Sequence, residues 1–190
     1  MEGDKFSRYI MPEGKIDKQA SNITGIRTHC GKMFVHGHHV ETVSISAALF
    51  EFSEWLQSLN NNILLVAHNA KVFDAQHLSR SICEHGFMSK FTMVIGFSDT
   101  LLLFRKCYPE LKGKCSLSKL HEHFIGSSFN AHNAMDDVDA LKSIMEQCKI
   151  TITELGRFSF TLSWAIQFLS CQQVQDAACN SASTDAGRNF

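Results

Sequence analysis

Leu65-Val66-Ala67-His68-Asn69-Ala70-Lys71-Val72-Phe73-Asp74 is the stretch on which the organisation of the chain turns. It closes an unbroken apolar run over residues 63–67, which has strand length and lacks the alternation of a sheet with one wet face. That pattern predicts a strand buried on both sides. The run ends in a polar cluster. Asp74 then opens a periodic stretch over residues 73–85, with Ala75, Leu78 and Ile82 on one helix face and Gly86 placed as a C′ residue. A buried strand feeding a helix is the repeating unit of an α/β sheet. Ligands of such sheets sit at the carboxyl ends of strands, where His68, Asn69 and Asp74 lie.

Upstream, residues 5–10 read as a short strand entering a turn at Pro12, Glu13 and Gly14, and residues 20–26 as a helical turn closed by Gly25. Residues 33–35 and 39–43 form a candidate hairpin around Gly37. With Ser46 as the expected N-cap, Leu49, Phe52, Leu56 and Leu59 recur at helical spacing until Asn60, Asn61 and Asn62 end the pattern. Downstream, residues 91–97 predict a second strand. Asp99 or Ser98 then caps a short helix through Leu101–Phe104, which Pro109 stops. Ser116 caps another through Leu117, Leu120 and Phe124. A final helix carries Val138, Leu141, Ile144, Met145 and Cys148 on its apolar side. Beyond Ile150, Phe158, Phe160, Leu162, Trp164, Ile166 and Phe168 alternate as in a half-buried strand, while Leu162, Ile166 and Leu169 equally suit a helix. The expected organisation is one α/β domain over residues 5–150, an extension over 151–175, and a disordered tail over 176–190.

At 190 residues the chain has room for one such domain, and 44% hydrophobic against 19% charged residues excludes an intrinsically disordered chain. Eighteen Lys and Arg against nineteen Asp and Glu leave a net charge of −1, so bulk electrostatic attraction to nucleic acid is excluded and any grip on phosphate is local. Arg105, Lys106, Lys112, Lys114 and Lys119 form a local basic excess opposed by Glu110, with a solvated face as the default reading. Seven scattered cysteines without a Cys-x-x-Cys pair or a leader predict a reduced, intracellular, soluble protein, and no apolar run reaches the roughly 18 residues of a membrane span. The histidines and cysteines at His29, Cys30, His36, His38, His39, Cys83, His85, His121 and His123 lack the paired spacing of a structural zinc site.

A second polar segment, Ala131-His132-Asn133-Ala134-Met135-Asp136-Asp137-Val138-Asp139, opens the last helix. Asp136 and Asp139 read as ordinary acids of a helix start. Asp137 precedes Leu141 by four positions and so leans toward the buried side, where an acid needs a cation or a donor. Together the two segments resemble the DEDD superfamily of 3′–5′ exonucleases, in the branch with a histidine in its third motif. His68, Asn69, Phe73 and Asp74 match the second motif, and His132 and Asp137 the third. Asp99-Thr100-Leu101-Leu102, Tyr108-Pro109 and Ser116–Leu120 resemble the connecting segment. Ile23-Thr24-Gly25-Ile26 is similar to the three-prime repair exonucleases. Residues 148–174 resemble the segment that follows the exonuclease-like C-terminal region of promyelocytic leukaemia proteins.

The resemblance implies a ribonuclease H-like mixed sheet flanked by helices. It implies hydrolysis from the 3′ end of single-stranded DNA or RNA by two Mg²⁺ or Mn²⁺ ions, with Asp74 and Asp137 as metal ligands and His132 as the general base. It also implies a nuclear address. The family's first motif, Asp-x-Glu, occurs nowhere in the sequence, so the first strand is expected to be lacking and catalysis impaired. The alternative is a catalytically inactive nucleic-acid-binding or nuclear-body assembly module. An absent central strand would also favour a protein partner or self-association.

Overall fold

The computed structural model describes residues 5–59 and 62–167. In chain order these form β1 (Tyr9–Ile10), α1 (Lys18–Thr24), β2 (Ile26–His29), β3 (Lys32–Val35), β4 (His38–Val40), β5 (Thr42–Val43), α2 (Ile45–Ser58), β6 (Ile63–Ala67) and α3 (Asp74–Glu84). There follow β7 (Val94–Asp99), α4 (Thr100–Cys107), α5 (Leu117–Ile125), α6 (Ala134–Gln147), α7 (Ile152–Arg157) and β8 (Ser159–Phe160), with 3-10 turns at Met88–Phe91 and Pro109–Leu111. Parallel β6 and β7 continue into antiparallel β8; β2, β3 and β4 make an antiparallel meander; β1 pairs in parallel with β5. The architecture is mixed α/β and consistent with the expected ribonuclease H-like class. No helix among the described residues is long and apolar enough to cross a membrane.

Two apolar clusters flank β6. Ile63 and Leu65 pack on the group of Leu49, Leu56, Ala75, Ile82, Phe91 and Phe97. Leu64 and Val66 pack on that of Leu103, Phe104, Leu120, Ile144 and Leu155. Alternate side chains thus meet alternate cores, which is why the run is apolar without a break. Full burial, however, is not reached. All five β6 residues are only half-buried, because among the described residues β6 ends the order of its sheet and has a strand on one side alone.

Several local expectations shift for identifiable reasons. The N-cap of α2 is Ser44, not Ser46: Ser44 holds the extended backbone a cap needs, and its hydroxyl accepts from the Ala47 amide at 3.2 Å. Leu49 and Leu56 are buried, whereas Leu59 is the exposed C-cap. Asn60 and Asn61 lie outside the described residues. Phe91 belongs to a 3-10 turn, and its strand begins only at Val94. β2, not anticipated, exists because β3 supplies its ladder; its own residues are mostly exposed. Gly25 closes α1 at φ 70, and a Cβ there would run into the His36 ring, so the turn demands glycine.

The alternating aromatic segment resolves into both open readings, a short strand (β8) followed by helix over residues 162–167. This part of the chain is built into the core. The buried Ser98 hydroxyl donates to the Leu155 carbonyl at 2.8 Å, the Asp99 amide donates to Phe158 at 3.1 Å, and Leu155, Leu162 and Ala165 are buried. Gly96 is required because a Cβ would collide with the Phe160 carbonyl. Phe168, Leu169 and the tail expected to be disordered lie outside the described residues.

Candidate active site

β6 delivers His68 to a turn that ends at Asp74, the first residue of α3, and the turn is held from behind by a buried acid. Asp99, 1% exposed, takes the Asn69 amide at 3.1 Å and the Leu101 amide at 2.9 Å on Oδ1, and the Lys71 amide at 3.0 Å on Oδ2. One carboxylate therefore caps α4 and fastens the loop in front of Asp74. Asn69 sits at φ 68, a left-handed conformation that asparagine tolerates better than most residues, and its carbonyl accepts from Val72 and Phe73 to close the turn.

His68 anchors the same loop. Its Nε2 lies 2.8 Å from the Cys115 carbonyl and so carries the proton; its Nδ1 lies 3.1 Å from the Thr100 hydroxyl. Burial pushes its pKa below the ordinary histidine value, against the opposing pull of the Cys115 carbonyl and the Asp99 charge. A neutral imidazole tied through Nε2 to the Cys115 carbonyl, with Nδ1 against a Thr100 hydroxyl that also reaches the Ala67 carbonyl, fastens this loop to the start of α4 and to the turn ahead of α5.

Asp74 is exposed as a residue. Desolvation raises its pKa, its own backbone amide opposes the shift, and the negative charge of Asp99 adds to it. Phe73 stands exposed beside it with its ring edge-on to His77 at 4.6 Å.

The third-motif segment is organised by Asn133, whose side chain accepts from Met135 and Asp136 as the N-cap of α6. This cap was not anticipated, although Asn before an apolar-periodic run is its ordinary signature. His132 precedes it at φ 74 with an exposed ring, and its amide donates to Asp137 Oδ1 at 3.3 Å. Asp137 is half-buried, Asp136 accepts from Asn130, and Asp139 pairs with Lys5 at 2.8 Å. His132 opens onto a cleft of about 390 Å³, shared with Arg8, Tyr9, Ile23, Thr24 and His36. Neither Asp74 nor Asp137 lines it.

The fit of metal ions can be judged on the donors. Two divalent ions bring four positive charges, against which Asp74 and Asp137 place two. Among the described residues, no group of three or more His, Cys, Asp or Glu side chains is arranged to hold a metal ion. The donor set present does not fit a two-ion centre. In the basic stretch, Lys114 and Lys119 share a shallow groove with Glu122 and His123.

A family model described as exonuclease, RNase_T, matches residues 1–145. No curated protein matches the chain.

Proposed function

We propose, from the premise that the chain belongs to the RNase_T exonuclease family, that it is a 3′-end-binding domain of the 3′–5′ exonuclease type whose hydrolysis is impaired in this polypeptide. The observation that carries the reading is the placement of His132: its ring opens on the Thr24–His36 cleft while its amide is tied to Asp137. A strand end entering this cleft would meet Arg8, whose guanidinium is already paired with Glu51 and keeps only its remaining N–H groups for phosphate, and the aromatic Tyr9 and apolar Ile23 for a base. His132, exposed and at the rim, is the group able to reach a water or a terminal phosphate. Asp74 and Asp137 are the carboxylates that family chemistry would assign to Mg²⁺ or Mn²⁺. Among the described residues no third and fourth donor joins them in a metal-holding group, and no catalytic step follows from those side chains.

The same shortage of donors among the described residues supports a second reading, a binding or assembly module that has kept the cleft and lost turnover, with a protein partner and a nuclear address as the resemblance to promyelocytic leukaemia proteins implies. Both readings predict binding to single strands with a preference for ends. The test is fluorescence anisotropy with a labelled linear oligonucleotide, competed by linear and by circular single strands. Linear competitor should win by about tenfold or more, a margin of roughly 1.4 kcal/mol, and His132→Asn, which tolerates the left-handed backbone, should erase the difference. Equal competition by the two forms would refute 3′-end binding.

A further inference from the structure

Past residue 145, where the family match ends, the chain folds back on the loop that carries Asp74. The Trp164 amide donates to the Thr161 hydroxyl at 3.1 Å, and Ala165 beside it is fully buried, which fixes this helical turn against the core. The Trp164 ring packs edge-on to Phe160 at 5.0 Å, and Phe160 stacks on Phe97 of β7 at 5.8 Å. On the Trp164 ring lies the Lys71 ammonium, 4.6 Å from the centroid.

Lys71 is held by its backbone as well. Its amide donates to Asp99 Oδ2 at 3.0 Å, and its carbonyl accepts from Gln76 Nε2 at 3.1 Å. Two other cations among the described residues rest on rings, Arg8 on Phe6 at 5.1 Å and Lys90 on Phe50 at 5.3 Å, but each also pairs with a carboxylate, of Glu51 and of Glu54. No described carboxylate pairs with the Lys71 ammonium. The Asp99 carboxylate, which takes the Lys71 amide, is already shared among three backbone donors. A positive charge that no described carboxylate answers is thus fixed on an exposed residue at the carboxyl end of β6, in the loop that leads to Asp74.

We propose that Trp164 positions Lys71 to bind a backbone phosphate of a single-stranded nucleic acid, which makes the segment past the family match part of the nucleic-acid surface. The inference rests on the reading of the chain as a strand-binding domain and names a contact for it. A free lysine gives up the freedom of a long flexible stem when it meets a phosphate, whereas one already lying on a ring has lost part of that freedom beforehand. Tryptophan is the ring that holds a cation best. It attracts the charge without the carboxylate oxygens that occupy Lys90, so the ammonium donors of Lys71 stay available to phosphate. A chain with a net charge of −1 has to hold phosphate through local contacts of this kind.

The full chain and its variants are titrated into a fluorescein-labelled linear single strand with chelator present, and log K is plotted against log salt between about 50 and 200 mM. Lys71→Met, at an exposed position, should weaken binding about three- to tenfold at the low end and flatten the slope by about 0.7, the share of one phosphate on a single strand. Lys71→Arg should keep both at their original values. Trp164→Leu should weaken binding by the unaltered chain and add nothing in the Lys71→Met background, while Trp164→Phe should retain most of the affinity. Lys90→Met, which removes a charge already answered by Glu54, should leave the slope as it was. An unchanged slope for Lys71→Met, the same flattening for Lys90→Met, a Trp164→Leu loss of equal size in both backgrounds, or competition by polyglutamate as strong as by unlabelled strand would each overturn the proposal. Equal competition by linear and circular strands would refute the end preference alone and leave a Lys71 slope change standing as support. Absence of any binding would overturn both.

Discussion

Replacing Asp99 by alanine should be among the most damaging single changes in the protein. Its carboxylate is 1% exposed and accepts three backbone amides, from Asn69, Lys71 and Leu101. Hydrogen bonds to a charged group contribute about 1.5–3 kcal/mol each, so simple addition gives roughly 4.5–9 kcal/mol. Two effects reduce this. The Asn69 and Lys71 amides lie in a turn that water can reach once the carboxylate is gone, and deletion also relieves the cost of burying the charge. A loss of about 3–5 kcal/mol remains, a large part of the roughly 5–15 kcal/mol that holds a domain folded. Asp99→Asn should cost less, about 1.5–3 kcal/mol, because its amide oxygen can still accept on the Oδ1 side while its NH₂ faces the Lys71 donor. Urea unfolding followed by tryptophan fluorescence measures both. A change within about 0.5 kcal/mol for Asp99→Ala, the size of an ordinary surface substitution, would refute the clamp. Equal losses for Asn and Ala would refute the assignment of its two oxygens.

Other perturbations follow from the same geometry. The folded pKa of His68 is depressed, so the unfolded chain binds the proton first. Its contribution to stability is intact above about pH 6.5 and is lost as pH falls toward the folded value. Urea midpoints should decline on acidification below that point, with a shallower decline in His68→Gln. Asp74 has the opposite sign. Its folded pKa is raised, so the ionised form costs stability at neutral pH and the cost disappears on acidification; Asp74→Asn should unfold at slightly higher urea at pH 7, an effect kept small by the exposure of the residue. Gly96→Ala drives a Cβ into the Phe160 carbonyl and should cost about 1–3 kcal/mol, with faster amide exchange at Ser98 and Phe160 as β8 lifts away.

The parts of the fold that were legible in the sequence are those whose signal is local. Leu49 and Leu56 mark α2, Gly25 closes α1, and Asp74 opens α3, because periodicity and caps are written within one turn of chain. Ser44 and Ser46 flank Ile45 symmetrically, and only the backbone angles decide between them. β2 owes its existence to β3, and β8 is two residues long; neither has a pattern of its own. Helix periodicity places Val138 on the apolar side of α6, yet among the described residues it is 59% exposed. At the candidate site, Asp74, His132 and Asp137 are marked by the resemblance of their segments to exonuclease motifs. Of the two cap candidates Asp99 and Ser98, Asp99 caps α4, but its hold on Asn69 and Lys71 spans about thirty residues and leaves no local mark.

The central claim, an exonuclease-family domain that binds 3′ ends while lacking the donors for turnover, meets its most direct test in one measurement. The purified chain is incubated with a 5′-labelled single strand and Mn²⁺, beside Asp74→Ala and Asp137→Ala, and product lengths are read on a denaturing gel. The account predicts a strand that is bound and stays full length with all three proteins. Stepwise shortening from the 3′ end that disappears in either variant would contradict it.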